Sequence, residues 1–162
     1  MQWMPRPRRV LIMMLSADSA ALGIWEDDQL VKHKVITAYT TRKQQGKSQL
    51  SHERGKGGGA RRSAGGHLRA RETTRLYAAS ASKLVEWKQY VDKCDVLYYS
   101  GTVRVMNELY NSKVALFLQR DDVRWRRVGI AIKKPRLKEL MRVRHALHHG
   151  RIASTTPIKQ YL

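Results

Sequence analysis

The sequence predicts an α/β (α+β) fold, in which a mixed and partly antiparallel sheet is covered by helices. Short apolar runs joined by tight turns open the chain, which favours antiparallel strands. Helical and strand patterns then alternate to the end of the chain. A long, glycine-rich, basic loop separates these two parts. With 162 residues, 42% of them hydrophobic, the chain fits one domain with a true core.

Three strands are predicted before the loop. Residues 10–15 form a compact apolar run typical of a buried strand, residues 20–25 form a second strand, and residues 30–39 form a third that is rich in β-branched side chains. The start of the chain superficially resembles a signal peptide. However, its apolar run is shorter than the usual hydrophobic region and far too short to span a bilayer, so we interpret it as a strand.

A long helix follows the loop. Its amphipathic pattern covers residues 63–92, with Ser63 as the N-cap. A short buried strand over residues 96–99 comes next. Thr102 then caps a second helix, which ends at Asn111.

The C-terminal part predicts two more strands and one helix. Residues 114–118 are a strand candidate, and residues 123–132 are extended, with a phase slip at residues 126–127 that indicates a bulge or bend. The final helix follows Pro135 and is stopped by Gly150.

The charge balance indicates the class of partner rather than the fold. The net charge is +19, from 32 lysines and arginines against 13 aspartates and glutamates. A surface this basic suits RNA, DNA or an anionic membrane. The single cysteine, Cys94, excludes an internal disulfide and a cysteine zinc site, and it fits a reducing compartment.

The loop between residues 40 and 75 has the composition of an arm that enters a narrow, phosphate-lined space. Its glycines let the backbone approach a ligand closely, and the helix start that follows offers free amides to an anion. Only Glu53 and Glu72 oppose its basic residues, which are Arg42, Lys43, Lys47, Arg54, Lys56, Arg61, Arg62, Arg69, Arg71 and Arg75. We expect residues 42–62 to be mobile in the free protein. The alternative interpretation is a disordered basic linker.

One polar residue in this arm suits hydrolysis. Gln49 follows Gly46 at a spacing of three. A glutamine is no general base at neutral pH, but it orients a water or offers hydrogen bonds to a developing oxyanion. That role suits an already reactive ester, for which positioning is most of the work.

The run "YTTRKQQGKSQ" followed by "RRSAGGHLRARE" resembles the catalytic region of the Vms-like release-factor (VLRF) domain family. That family is related to the middle domain of eukaryotic and archaeal class I peptide chain release factors. The later "VGIAIKKPRLKEL" is similar to the family's bend and final helix. The resemblance covers most of residues 8–149 and implies a fold like that of the release-factor middle domain.

The resemblance implies a ribosome-associated, cytoplasmic enzyme that frees nascent peptide from peptidyl-tRNA on stalled large ribosomal subunits. Gln49 matches the family's catalytic glutamine, in a loop with Gly46, Lys47 and Ser48. The expected RNA-binding residues are Arg42, Lys43, Arg54, Lys56, Arg61, Arg62, Ser63 and Arg69. The expected partners are large-subunit rRNA and peptidyl-tRNA. We expect a monomer with no metal, cofactor or membrane partner.

Three departures from the family's pattern bear on this expectation. Gln45 is an extra residue before the glycine, and Lys47 stands where the family often has glycine, so the loop geometry differs. The zinc finger, ankyrin repeats and partner-binding helix of eukaryotic members have no counterpart, which indicates a minimal, prokaryotic type. We therefore expect one catalytic domain over residues 1–150 and a loose tail over residues 151–162.

Two other functions stay open beside peptidyl-tRNA hydrolysis. The same arm would reach a phosphodiester in a nuclease that cuts the tRNA acceptor end. A non-catalytic protein that binds rRNA would need the basic surface alone. The glutamine motif favours the two enzymes over the third class, and only the reaction products separate hydrolase from nuclease.

Several residues outside the arm have ordinary structural interpretations. The three histidines near the end of the final helix, His145, His148 and His149, suit its dipole better than a metal. Cys94 suits the core. The acidic residues Asp18, Asp121 and Asp122 suit turns, and the aromatic residues Trp87, Tyr90, Tyr98 and Tyr99 suit packing. A second basic run predicts an RNA-facing surface and comprises Arg124, Arg126, Arg127, Lys133, Lys134, Arg136 and Lys138.

Overall fold

A computed structural model describes residues 7–38, 64–114 and 116–149, which form a mixed sheet with helices on both faces. The predicted fold class is confirmed. The strands are β1 (Arg9–Leu15), β2 (Ser19–Glu26), β3 (Gln29–Thr37), β4 (Val96–Ser100) and β5 (Trp125–Arg127). The helices in this part of the chain are α1 (Ala64–Glu86), α2 (Lys88–Val91), α3 (Val103–Tyr110) and α4 (Leu137–His148).

The five strands lie in the order β3-β2-β1-β4-β5. The two hairpin pairs are antiparallel, as the short turns predict, and β4 pairs in parallel with β1 and with β5. The β2–β3 turn is tight, and Asp27 there has a positive φ of 53°, a conformation that aspartate tolerates better than most residues. The three parallel strands therefore end at the same edge of the sheet.

The central strand β1 is buried on both faces, which explains its unbroken apolar run. Leu11, Met13 and Leu15 face α1 and α3, while the alternate residues Ile12 and Met14 face α4. The first core cluster takes Leu76, Tyr77 and Leu84 from α1 and Leu109 from α3, and the second takes Leu140 and Val143 from α4. Helices on both faces thus enclose the middle of the sheet.

The predicted cap of α3 is confirmed. The Thr102 hydroxyl accepts a hydrogen bond from the Val105 amide at 3.3 Å, and Asn111 caps the C-terminus. The prediction of one helix over residues 63–92 is wrong at its end. The backbone of Trp87 leaves the helical conformation, so α1 ends at Glu86 and the short α2 follows.

The strand predicted over residues 114–118 is wrong. The described residues there are irregular, and Leu118 is buried in the α1-side core while Val114 and Phe117 pack against it. Their apolar pattern reflects core packing and not strand pairing. Similarly, only Trp125–Arg127 of the predicted extended stretch pairs with β4, so the sheet ends where the phase slip lies.

Other boundaries differ by one or two residues. The third strand ends at Thr37, and α4 ends at His148 with His149 as its cap, while Gly150 lies outside the described residues. Within the described ranges, no helix combines the length and the apolar character that crossing a membrane requires.

Candidate nucleic-acid interface

The β1–β2 turn, residues 16–18, holds both ends of the segment that carries the arm. The amide of Ala38, just after β3, donates to the carbonyl of Asp18 at 2.8 Å. On α1, the Thr73 hydroxyl donates to the carbonyl of Ala17 at 2.8 Å, and the Tyr77 hydroxyl donates to the carbonyl of Ser16 at 3.3 Å. One short turn therefore holds the chain just before residues 39–63 and again on α1, nine residues after that helix begins.

Hydrogen bonds within the turn keep it rigid. The hydroxyls of Ser16 and Ser19 donate to one oxygen of Asp18 at 2.9 and 3.0 Å. Lys134 donates to the other oxygen at 2.7 Å, and this hydrogen bond is the main reason that the pKa of Asp18 is lowered. The interpretation of Asp18 as a turn residue is confirmed, because its carboxylate joins the turn to the segment before α4.

The first part of α1 extends away from the turn. Nine residues precede Thr73 in the helix, which corresponds to about 14 Å at 1.5 Å per residue. The side chains of residues 67–71 are all exposed, and Arg69 is one of them. Arg69, an expected RNA-binding residue, is therefore available to a ligand on this part of the helix.

The remaining predicted site residues lie outside the described part of the chain. They are Gln49, Gly46, Lys47, Ser48, Arg42, Lys43, Arg54, Lys56, Arg61, Arg62 and Ser63. Their roles stay predictions, as do the arm over residues 42–62 and the tail over residues 151–162. What the structure adds is the position of the arm's two flanks.

The second basic run contains one arginine, Arg124, whose side chain has a structural role. Arg124 does not face a ligand, because it forms an ion pair with Asp122 at 2.7 Å and donates to the carbonyls of Val91 and Cys94 at 3.0 and 3.2 Å. The prediction of an RNA-facing role for Arg124 is wrong. The pKa of Asp122 is lowered mainly by its hydrogen bond from Arg124, which fits a structural pair.

The three histidines lie at the C-terminal end of the last helix, where their interpretation as dipole partners needs them, and most of the aromatic residues pack as predicted; Tyr90 is instead exposed, with the Lys32 ammonium 5.0 Å from its ring centroid. His145 and His149 stack at the end of α4 with ring centroids 4.1 Å apart, and His148 lies 3.2 Å from Asp28. Trp87 is buried, and Tyr99 packs edge-to-face on Trp125. In the described ranges, no group of three or more histidine, cysteine or acidic side chains has a geometry that would hold a metal.

The residues that hold the arm's flanks are absent from the sequence prediction. In the sequence, Thr73 looks like any other polar residue of an amphipathic helix. Ala17 takes part only through its backbone carbonyl, which its residue type does not reveal. The nearest sequence signal is the run Ser-Ala-Asp-Ser at residues 16–19, which indicates a turn and gives no sign of what binds to it.

A family comparison assigns the chain. The family model of the Bacteroidetes VLRF1 release factor matches residues 10–155, a range that includes the described strands from the second residue of β1 onward, the four described helices and the arm. The chain belongs to this family. The VLRF resemblance noted in the sequence is thereby confirmed.

Curated relatives share this region at lower identity. The mouse and human proteins named tRNA endonuclease ANKZF1 are each 29% identical over 144 residues, which is 87% of this chain and 19% of the relative. The Caenorhabditis elegans protein named tRNA endonuclease vms-1 is 26% identical over 149 residues, which is 90% of this chain and 24% of the relative. This chain of the VLRF1 family therefore spans a quarter or less of these relatives' length.

A solved structure has the same fold. The Vms1 mitochondrial localization core superposes with a TM-score of 0.61 at 15% identity, over 91% of this chain and 58% of that one. At this identity the likeness establishes the fold alone. It agrees with the mixed sheet and flanking helices of the VLRF1 domain described above.

Proposed function

We propose that this protein is a release-factor-like enzyme of ribosome-associated quality control, which frees nascent peptide from peptidyl-tRNA on stalled large ribosomal subunits. The observation that carries the proposal is the VLRF1 release-factor match over residues 10–155, which includes Gly46 to Gln49. Residues 1–150 form the catalytic domain, the arm carries the chemistry, and the protein works as a monomer on ribosomes in the cytoplasm.

The position of the arm's flanks supports this proposal. The β1–β2 turn binds Ala38 on one side and Thr73 on the other, so the segment from residue 38 to residue 73, which carries the arm, is held at both ends at one edge of the sheet. A reactive loop on a rigid scaffold is a common way to present a catalytic group. The net charge of +19 and exposed Arg69 suit a polyphosphate partner such as tRNA and rRNA.

The proposed chemistry is hydrolysis of the ester between peptide and tRNA. Gln49 orients the attacking water or donates a hydrogen bond to the oxyanion that develops on the ester carbonyl. The amide side chain takes no proton, so the rate gain comes from position and from charge stabilisation. Gly46, Lys47 and Ser48 place Gln49 at the reacting atoms.

A second function, cleavage of the tRNA near its acceptor end, is favoured by one observation. The curated relatives from mouse, human and C. elegans are named tRNA endonucleases. The products separate the two reactions. Ester hydrolysis leaves the terminal CCA on the tRNA, whereas acceptor-end cleavage leaves CCA on the released peptide. Analysis of both products from stalled large-subunit complexes identifies the bond that is cut.

The first prediction concerns Gln49. Gln49→Ala should lower single-turnover release from stalled peptidyl-tRNA about a hundredfold, because loss of one such positioned group costs on the order of 3 kcal/mol. Lys47→Gly should have a milder effect, since it restores the commoner family residue. Thermal stability and RNA affinity should stay close to those of the parent.

Gln45→Ala is the matched control for that experiment, since it removes a glutamine side chain from the same arm at a position outside the Gly-x-x-Gln motif. It should retain release within a few-fold of the parent, by the same measurement. Release by Gln49→Ala at the parental rate would show that the reaction does not use this residue.

A further inference from the structure

A cavity opens where the three parallel strands of the sheet end. Leu15, Ser100 and Arg127 are the last residues of β1, β4 and β5, and all three line a cavity of about 420 Å³. Ligands of sheets with parallel strands bind outside the carboxyl ends of those strands. The cavity also borders Ser16 and Ala17 of the β1–β2 turn, so it lies beside the flanks of the arm.

One serine hydroxyl that lines this cavity has no hydrogen-bond partner in the part of the chain that the structure describes. Ser100 is 7% exposed and lines the cavity, yet its hydroxyl makes no hydrogen bond within the described residues. The other buried serines in this part of the chain are satisfied: Ser19 donates to Asp18 at 3.0 Å and Ser80 donates to the Leu76 carbonyl at 2.9 Å. A hydroxyl without a partner on a cavity wall can donate a hydrogen bond to a ligand there, and the Ser100 hydroxyl is in this position.

Two cations at the cavity are also without a counterion. Arg127 and Lys133 line it, both are exposed, and neither has a carboxylate within ion-pair distance in the described ranges. Their neighbours differ, since Arg124 pairs with Asp122 and Lys134 pairs with Asp18. The two cations therefore offer positive charge to an anion.

The third contribution is the start of α3. Gly101 turns the chain from β4 into this helix with a φ of 144°, which side chains rarely adopt. Thr102 lines the cavity, and its hydroxyl satisfies only the amide of Val105. The first amides of a helix lack acceptors within the helix and favour a phosphate. The rest of the cavity wall is apolar and includes Ile130 and Ile132.

We propose that this cavity binds one nucleotide of an RNA strand. Its phosphate lies between Arg127 and Lys133 at the start of α3, and the Ser100 hydroxyl donates a hydrogen bond to it. The ribose or base lies against Ile130 and Ile132. That the occupant is RNA rests on the proposed function. A nucleotide bound here lies beside the β1–β2 turn and fixes the RNA relative to the arm.

The experiment follows backbone amides by NMR while ligand is added to the full chain. The probes are a tetra-adenylate RNA, adenosine monophosphate, adenosine and inorganic phosphate. The RNA and the monophosphate should both shift the amide resonances of residues 100–103, and the RNA should do so at a lower concentration than the monophosphate. Adenosine should shift them only at much higher concentration, because it lacks the phosphate. Inorganic phosphate should bind more weakly than the monophosphate, because it lacks the apolar part.

Variants locate the interaction. Arg127→Gln with Lys133→Gln should weaken tetra-adenylate binding about tenfold and make the slope of log K against log salt less steep by about 0.7. Lys93→Gln with Lys113→Gln removes the same charge from exposed cations that neither line the cavity nor belong to the second basic run, and it should cost at most about threefold. Ser100→Ala, which removes only the hydroxyl, should weaken binding several-fold.

The inference is overturned if RNA leaves the amides of residues 100–103 unmoved or if the two paired variants lose equal affinity. It is also overturned if inorganic phosphate binds as tightly as the monophosphate. Tighter binding of the free monophosphate than of the RNA assigns the cavity to a mononucleotide and rejects RNA as its occupant. The Gln49 assay is separate. If release depends on Gln49 but RNA does not shift these amides, the proposed function stands and the cavity site is rejected. If RNA shifts these amides but release does not depend on Gln49, the cavity site stands and the proposed mechanism is rejected.

Discussion

Cys94 is a thiol in the core and not a nucleophile. It is 3% exposed, and its sulfur donates to the carbonyl of Tyr90 at 3.4 Å. Burial raises the pKa of Cys94 to about 12, and the nearby charge of Arg124 opposes that rise only in part. Since the thiolate is the reactive form, the side chain is inert at neutral pH, in agreement with its predicted place in the core.

The second prediction follows from this pKa. At pH 8 the folded protein should react with a thiol reagent at least about a hundredfold more slowly than the urea-unfolded protein, because burial suppresses both the thiolate and access to it. The pKa in the folded state lies above the unfolded value. The stability contribution is therefore complete below about pH 8.5 and is lost as the pH rises toward 12.

Both parts of that prediction are measurable on the same sample. Thiol labelling with and without urea gives the two rates, and urea unfolding at pH 8 and pH 10 gives the change in stability. Cys94→Ala serves as the control, since its stability should lack this component of the pH dependence. Equal labelling rates in the folded and unfolded states would contradict the buried position.

At the scale of elements, β2 and α4 meet without space for a side chain at Gly23. A methyl group there would lie 2.3 Å from Leu140 Cδ2 and 2.6 Å from Trp25 Cζ3. Both neighbours belong to the core cluster on the α4 side of the sheet. The close approach of α4 to the sheet therefore depends on this glycine.

The third prediction is that Gly23→Ala lowers the free energy of unfolding by about 1–3 kcal/mol, the usual cost of overpacking a core. Chemical denaturation measures it. Gly129→Ala is the matched control, because a methyl group at Gly129 would have no heavy atom within 4 Å. An unchanged stability in both variants would mean that α4 shifts to accept the methyl group freely.

Elements were predictable where local chemistry decides them. The Thr102 cap, the double-sided burial of β1 and the hairpins all follow from short-range patterns, and each is confirmed. Residues 114–118 were mispredicted because an apolar run packs into a core equally well without strand pairing. The break at Trp87 has no glycine or proline beside it from which it could be predicted, and the side chain of Trp87 is buried in the core.

At the scale of the whole molecule, the sequence located the arm but not what surrounds it. A glycine-rich basic run with a Gly-x-x-Gln motif can be recognised from the sequence alone. By contrast, the turn that holds the flanks uses backbone carbonyls of Ser16, Ala17 and Asp18, which any residue supplies. The cavity at Ser100 depends on which strands end side by side, and strand order does not follow from local pattern.

The fourth prediction concerns the net charge of +19. If binding neutralises about five phosphates, log K should fall with log salt at a slope of about −3.5 for single-stranded RNA, or about −4.5 for a duplex that behaves like DNA. Fluorescence anisotropy across a salt series measures the slope. Arg9→Gln should leave it unchanged, because Arg9 pairs with Glu26 at 2.6 Å, at the opposite end of β1 from the turn. An RNA affinity that does not change with salt concentration would rule out binding that is mainly electrostatic.

The shared anchor of Ala38 and Thr73 on one turn makes the domain tolerant of insertions and deletions between them. Once both ends of a segment are held together, each doubling of its length costs only about 0.6 kcal/mol in closure entropy. An added residue such as Gln45 is then almost neutral for folding. Natural selection is free to adjust the length and reach of the arm to different partners while the scaffold beneath it stays the same.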